Sequence, residues 1–209
     1  TIMAATASPY GLKAVNHLGG TPYAGSTRLY PIASGYAVNI YNGSVVKIVN
    51  PGNATDGTIE IVNDLGNNAD AFVAGTIGVF VGCTFTDPNS GNVTFRQNYP
   101  TGTVAADIQA YVIDDPQVIF MAQASATVAA TELGRNIPFT ALQATGTGNL
   151  SSGNSTSSVN AAGIAATATI AFRIVDFVES PTSTVGDAFT DLLIKFNPTY
   201  HQMTASLGV

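Results

Sequence analysis

The sequence predicts an all-β protein, a barrel or sandwich of about ten short strands with at most one short helix. Three observations carry this. Apolar residues recur every second position in short runs, which is the strand period. Gly, Pro, Asn and Asp clusters punctuate those runs at close intervals. No strand–helix–strand rhythm appears anywhere, so a parallel α/β sheet is excluded.

From Pro31 onward the elements follow in order. Tyr36–Tyr41 and Ser44–Val49 flank Asn42-Gly43, the pair favoured in a tight type I′ hairpin turn, and a hairpin is expected there. Asn50-Pro51-Gly52-Asn53 and Asp56-Gly57 are further turns, Thr58–Val62 is a short strand, and Asp64–Asp70 is a polar loop. Phe72–Phe85 is a long β segment. Its Gly75, Gly78 and Gly82 predict bulges, bends or close backbone approach. Asp87–Gly91 turns the chain into a strand at Val93–Gln97. Val104–Ile113 alternates, with Ile108, Ala110 and Val112 on one face. Asp114-Asp115-Pro116 breaks that strand, and Val118–Met121 resumes it.

Ser125–Leu133 is the one helix candidate, with Gly134 as its C-cap. Thr145–Ala162 is rich in Gly, Ser, Thr and Asn and reads as an exposed, flexible loop. Ala166–Val178 is the clearest strand. Its apolar phase slips by one residue after Ile174, as a β-bulge would produce. Phe189–Asn197 is the last strand, and residues 199–209 form a C-terminal tail.

Residues 1–30 differ from the rest. Pro9, Gly11, Gly19-Gly20, Pro22 and Gly25 oppose regular structure. Tyr10, Leu12, Val15, Leu18, Tyr23, Leu29 and Tyr30 nevertheless give the segment something to bury. An extended N-terminal arm is expected, preceding a single β domain over 31–198. The seven apolar and aromatic residues of the arm are the candidate interface, seated on another surface or on the chain's own domain.

Charge is scarce: Lys+Arg 7 and Asp+Glu 13, or 10% of the chain against a usual ~25%. Few charges among many neutral polar residues suit a surface covered by partners. The net charge of −6, with no two basic residues closer than fifteen positions, argues against nucleic-acid binding. No apolar run reaches the ~20 residues of a spanning helix, and Thr1–Pro9 lacks the pattern of a secretory signal, so a cytoplasmic origin and no membrane partner are expected.

The chemistry-bearing residues are few and scattered. The only histidines are His17 and His201, and the only cysteine is Cys83, inside an apolar run where a buried, unreactive thiol is expected. No Gly-x-Ser-x-Gly elbow exists, and the three residues show no metal-ligand spacing. Asp114-Asp115 is a carboxylate pair, but neighbours along a strand point to opposite faces and are poorly placed to flank one bond. Gly146-Thr147-Gly148 lacks the Lys-Ser/Thr ending of a phosphate loop. No enzyme, cofactor or metal is expected.

Three stretches carry a resemblance. They are Ser8–Val15 with His17–Gly20 and Arg28–Ile32; then Asp114–Gln123; then Phe177–Pro181 with Gly186-Asp187 and Leu192–Asn197. Together they resemble small virion proteins of tailed bacteriophages, especially phages of aquatic bacteria, of the capsid decoration or cement type. Thr199–Val209 runs longer than that pattern. The resemblance implies a structural protein on the outer face of the capsid, with the major capsid protein and further copies of itself as partners. A homotrimer comes first and a dimer next, since closed cyclic assemblies are common. The alternatives are a tail-tube or adaptor protein, or a carbohydrate-binding β-sandwich. The resemblance implies no catalytic residues.

Overall fold

The computed structural model describes residues 6–49, 55, 57–62, 75–140 and 147–206. Among these residues the chain is all-β, with strands β1 (Lys13–His17), β2 (Arg28–Pro31), β3 (Ile40–Tyr41), β4 (Val45–Ile48), β5 (Ile59–Ile61), β6 (Thr76–Thr86), β7 (Val93–Arg96), β8 (Asn98–Tyr99), β9 (Gln109–Ile113), β10 (Val118–Gln123), β11 (Asn136–Ile137), β12 (Phe172–Phe177) and β13 (Asp191–Phe196). All pair antiparallel. One sheet runs β1-β10-β13-β12-β11. The other runs β2-β9-β6-β4-β5, with β7 also paired to β6, and β3-β8 is a separate ribbon. Among the described residues the first sheet stays open at its ends, whereas the ends of the second are joined by one parallel bridge, Ile32 to Ile59, just past β2; the two sheets pack face to face as a sandwich.

Two hydrophobic cores divide the molecule. The first lies between the sheets and joins Val45, Val79 and Ile113 to Phe120, Phe172, Ile174, Ile194 and Phe196. Its aromatics interlock: Phe172 sits 4.5 Å from Phe139 and 4.9 Å from Phe196, centroid to centroid. The second core lies on the opposite face of the β6 sheet, where Ile40 and Tyr99 of the small ribbon cover Val46, Ile77, Phe80, Cys83, Ala110 and Val112. The central sheet is therefore buried on both faces along much of its length.

Strand β6 serves both cores, and two bulges set which of its residues face which. Ile77 belongs to the second core, Val79 to the first, Phe80 to the second and Cys83 to the second, while Val81 packs on the first. A regular strand would put 77 with 79 and 81 with 83. The register slips at Ile77 against β4 and at Val81 against β9. Each slip turns the following side chains to the other face. The glycines expected to mark bends stand beside these slips: Gly78 and Gly82 both have φ of 155°.

The bulge expected after Ile174 is present. Ile174 faces Ile194 and Asp176 faces Leu193, leaving Val175 as the extra residue. Phe177 then packs on the first core, although it and Val175 are only half-buried.

Several expectations are corrected. The Tyr36–Val49 hairpin does not form: β3 pairs with β8, whereas β4 pairs with β5 and β6. Asn42 does not take the positive φ that a type I′ turn needs; Gly43 alone does, at 90°. The turn instead passes the chain from ribbon to sheet, with Asn42 bridged in parallel to Asn154. The helix at Ser125–Leu133 reduces to a single 3-10 turn at Ala130–Glu132. Outside contacts hold its start extended, because Ser125 N donates to the Val159 carbonyl and Val128 N to the Thr190 hydroxyl.

The flexible loop expected at 145–162 is, from Thr147 on, a packed strap. Val159 is fully buried and bridges both Ala124 and Phe139, and Ser155 and Ser157 are buried with it. Serines suit this role because they fill little space beside hydrogen-bonded backbone. The tail is packed as well: Tyr200 and His201 are each 1% exposed. The expected turn at 50–53, Asp56 and the polar loop at 64–70 lie outside the described residues, as do the start of the long segment at 72–74 and residues 145–146 of the strap.

Candidate functional site

Over its described part the expected arm is two edge strands, one in each sheet. β1 pairs with β10 and β2 with β9. Leu12, counted as an interface residue, is a core residue at 3% exposure. Gly and Pro interrupt the segment but leave two runs, Lys13–His17 and Arg28–Pro31, free to pair.

The link between β9 and β10 organises this flank. Asp114 accepts a hydrogen bond from the Tyr30 hydroxyl at 2.9 Å and pairs with the Arg28 guanidinium at 3.1 Å. Asp115 turns the other way, with its carboxylate 3.5 Å from His17 Nδ1. The Tyr23 ring lies against His17 at 5.9 Å. Each aspartate thus ties down a different edge strand, on opposite sides of the turn. Burial first, then the Asp114 carboxylate, raises the Tyr30 pKa. Burial first, then Asp114 and Asp115, raises the Tyr23 pKa, so both carboxylates act on one ring. The arrangement is a clasp.

The remaining chemistry-bearing residues, Cys83 and His201, are buried. Cys83 is fully buried, and that burial pushes its thiol up to about 12. His201 is buried against the Phe196 ring at 5.2 Å, and burial pushes it down to about 4. Its Nδ1 accepts a hydrogen bond from Met203 N. No group of three or more His, Cys, Asp or Glu able to hold a metal occurs among the described residues.

The surface that stands out is a sheet face. On β9, Ala110 and Val112 point into the second core, so Tyr111 points the opposite way. Ile113, on that same face, reaches the first core. The covering sheet ends there, and beyond it the face is open. Leu29 pairs with Tyr111, Tyr111 pairs with Gly82, and the Phe95 ring lies over Gly82. A row of apolar groups thus crosses β2, β9, β6 and β7. Leu29 is 52% exposed, Phe95 58% and Val93 77%. The Phe95 and Tyr111 rings meet edge to face at 5.9 Å and 61°.

Of the expected interface residues, Leu29 joins this face. Val15, the extra residue at the β1 bulge, and Leu18 are exposed on the neighbouring flank at 40% and 47%. Tyr23 and Tyr30 belong to the clasp. Tyr10 is half-buried and donates to Asp191 at 3.1 Å. Phe95, Val93 and Tyr111 are functional candidates that sequence reasoning missed. The available signal was Phe95 and Val93 sharing the outer side of an edge strand opposite a glycine-broken one.

Compared with known proteins, the chain matches no family model, no curated protein and no solved structure.

Proposed function

We propose that this chain is a structural virion protein that binds the outer face of a tailed-phage capsid and cements neighbouring major capsid protein subunits, working as a homo-oligomer. The observation that carries the reading is the uncovered apolar face built by Leu29, Tyr111, Phe95 and Val93. Exposed apolar area gathered on one side, rimmed by polar groups, favours a macromolecular partner. An aromatic in a pocketed position is the usual anchor of such an interface. The scarcity of charge fits a surface that is covered in the assembly. The resemblance over Ser8–Ile32, Asp114–Gln123 and Phe177–Asn197 names the kind of partner.

The tilt of the two rings weighs against the carbohydrate-binding alternative on this face. At 61° they do not offer the flat platform on which a polysaccharide chain stacks. The test is co-sedimentation with capsids stripped of the protein, comparing the native chain with Leu29→Asp/Phe95→Asp. Circular dichroism controls the fold of the variant. We expect occupancy to fall by about tenfold or more, as for loss of a hot spot. Undiminished occupancy would sink the assignment of this face. Failure of the native protein to bind any capsid would sink the virion reading itself.

A further inference from the structure

A cleft of about 350 Å³ opens at the start of β1, lined by Tyr10, Leu12, Lys13, Asn42, Met121 and Asn154. Its volume lies in the range of small-molecule sites. Three features give it chemical character. Asn42 and Asn154 are partners in a parallel bridge, so their carboxamides stand side by side. Neither carboxamide hydrogen-bonds another described residue, leaving donors and acceptors free in pairs. Lys13 has no carboxylate partner among the described residues. Tyr10 supplies an aromatic wall, and its hydroxyl is anchored on Asp191, which holds the ring in place.

We infer that this cleft binds an acidic saccharide, a pyranose ring carrying one carboxylate. Paired carboxamides match neighbouring ring hydroxyls, since each offers one donor group and one acceptor. The Lys13 ammonium meets the carboxylate as a charge-assisted partner. The ring's C–H face lies on Tyr10, with Leu12 and Met121 as the apolar floor. A neutral sugar would leave Lys13 unused, and a simple carboxylate would leave the carboxamides unused. This site is separate from the apolar sheet face, and its occupancy does not depend on capsid attachment.

The test titrates isotopically labelled protein with a short oligogalacturonate, with the matching neutral oligogalactoside, and with acetate. Amide shifts are followed at Lys13, Asn42, Met121 and Asn154. We expect saturable shifts at these positions with the acidic oligosaccharide at millimolar concentration, and weaker binding of the neutral one. Asn42→Ala/Asn154→Ala should weaken binding about tenfold. Lys13→Gln should erase the preference for the acidic sugar. Lys13 and Asn154 are exposed and the Asn42 side chain is half-buried, so circular dichroism should show the fold of these variants intact. Absence of shifts at the cleft would overturn the inference. So would acetate reproducing the same shifts at the same affinity, or affinity unchanged in the variants.

Discussion

The ring of Phe95 rests on Gly82: a Cβ built on Gly82 would fall 2.7 Å from Phe95 Cζ and 2.9 Å from Cε2. The missing side chain is a seat. It lets an exposed aromatic lie down on the sheet beside Tyr111 instead of standing into solvent, much as aromatic cover rescues glycines in designed sheets. Gly82→Ala should unseat the ring and strain a backbone at φ 155°. The cost should be about 1–3 kcal/mol, because the ring is free to swing away. Denaturant midpoints give the cost. Loss of the cross-peak between the Phe95 and Tyr111 rings reports the unseating, and its persistence would show that the glycine is not what holds the ring.

Gly78 has the same φ but no soft neighbour. Its Cβ would fall 1.9 Å from the Ile113 carbonyl oxygen, a backbone atom of the paired strand β9. Relief requires the β6–β9 pair to part where Ile113 enters the first core. Gly78→Ala should therefore cost more than Gly82→Ala, above about 3 kcal/mol, combining backbone strain with overpacking. Equal denaturant midpoints for the two variants would contradict the stated geometry.

Stability should fall as the solution is acidified through the titration of His201. Burial holds its folded pKa near 4, below an ordinary value of 6.5, while the Ile77 backbone, Asp114 and Asp115 act against the shift. The folded state keeps the ring neutral and the unfolded state binds the proton first. The His201 contribution is complete above pH 6.5, is lost between 6.5 and 4, and changes no further below that. The loss should be about 3 kcal/mol. Asp191 has the opposite sign, since burial raises its carboxyl pKa and protonation there favours the folded state. Denaturant unfolding across this window should show the decline, and His201→Gln should remove it. A decline of the same size in that variant would assign it elsewhere.

The local patterns that were legible in the sequence are those in which neighbours along the chain decide the outcome. The one-residue slip after Ile174 is visible as a change of apolar phase, and Val175 is the extra residue. The glycines of β6 mark its two slips. Asp87–Gly91 closes the β6–β7 hairpin as its turn residues require. What stayed hidden depends on distant partners. Asn42-Gly43 fits a hairpin locally, but Asn154, far along the chain, claims Asn42. The 147–162 strap looks disordered by composition, yet its backbone bridges Ala124 and Phe139 across the molecule. The apolar face was hidden for the same reason: Leu29, Tyr111, Gly82 and Phe95 meet only through register across four strands.

The N-terminal segment should prove indispensable to folding. Removing residues 1–18 takes Leu12 from the first core and strand β1 from the edge of its sheet. It also removes the hydrogen bonds from Gly11 N to the Ser157 carbonyl and from Leu12 N to the Gly43 carbonyl, which tie down the strap and the turn after β3. Truncating one buried leucine alone costs about 2–5 kcal/mol, against a total stability of about 5–15 kcal/mol for a domain. The deletion would also uncover β10, whose Val118 and Phe120 are fully buried in the native chain, as a new apolar edge open to pairing with other copies. We expect the shortened protein to lose cooperative thermal unfolding and to aggregate in size-exclusion chromatography. A monomer with an unchanged midpoint would show that the segment is an arm after all. The part it takes in capsid binding is better probed at its exposed positions. Val15→Lys and Leu18→Lys leave Leu12 and the β1 pairing in place, so a loss of binding in these variants reports contact and not misfolding.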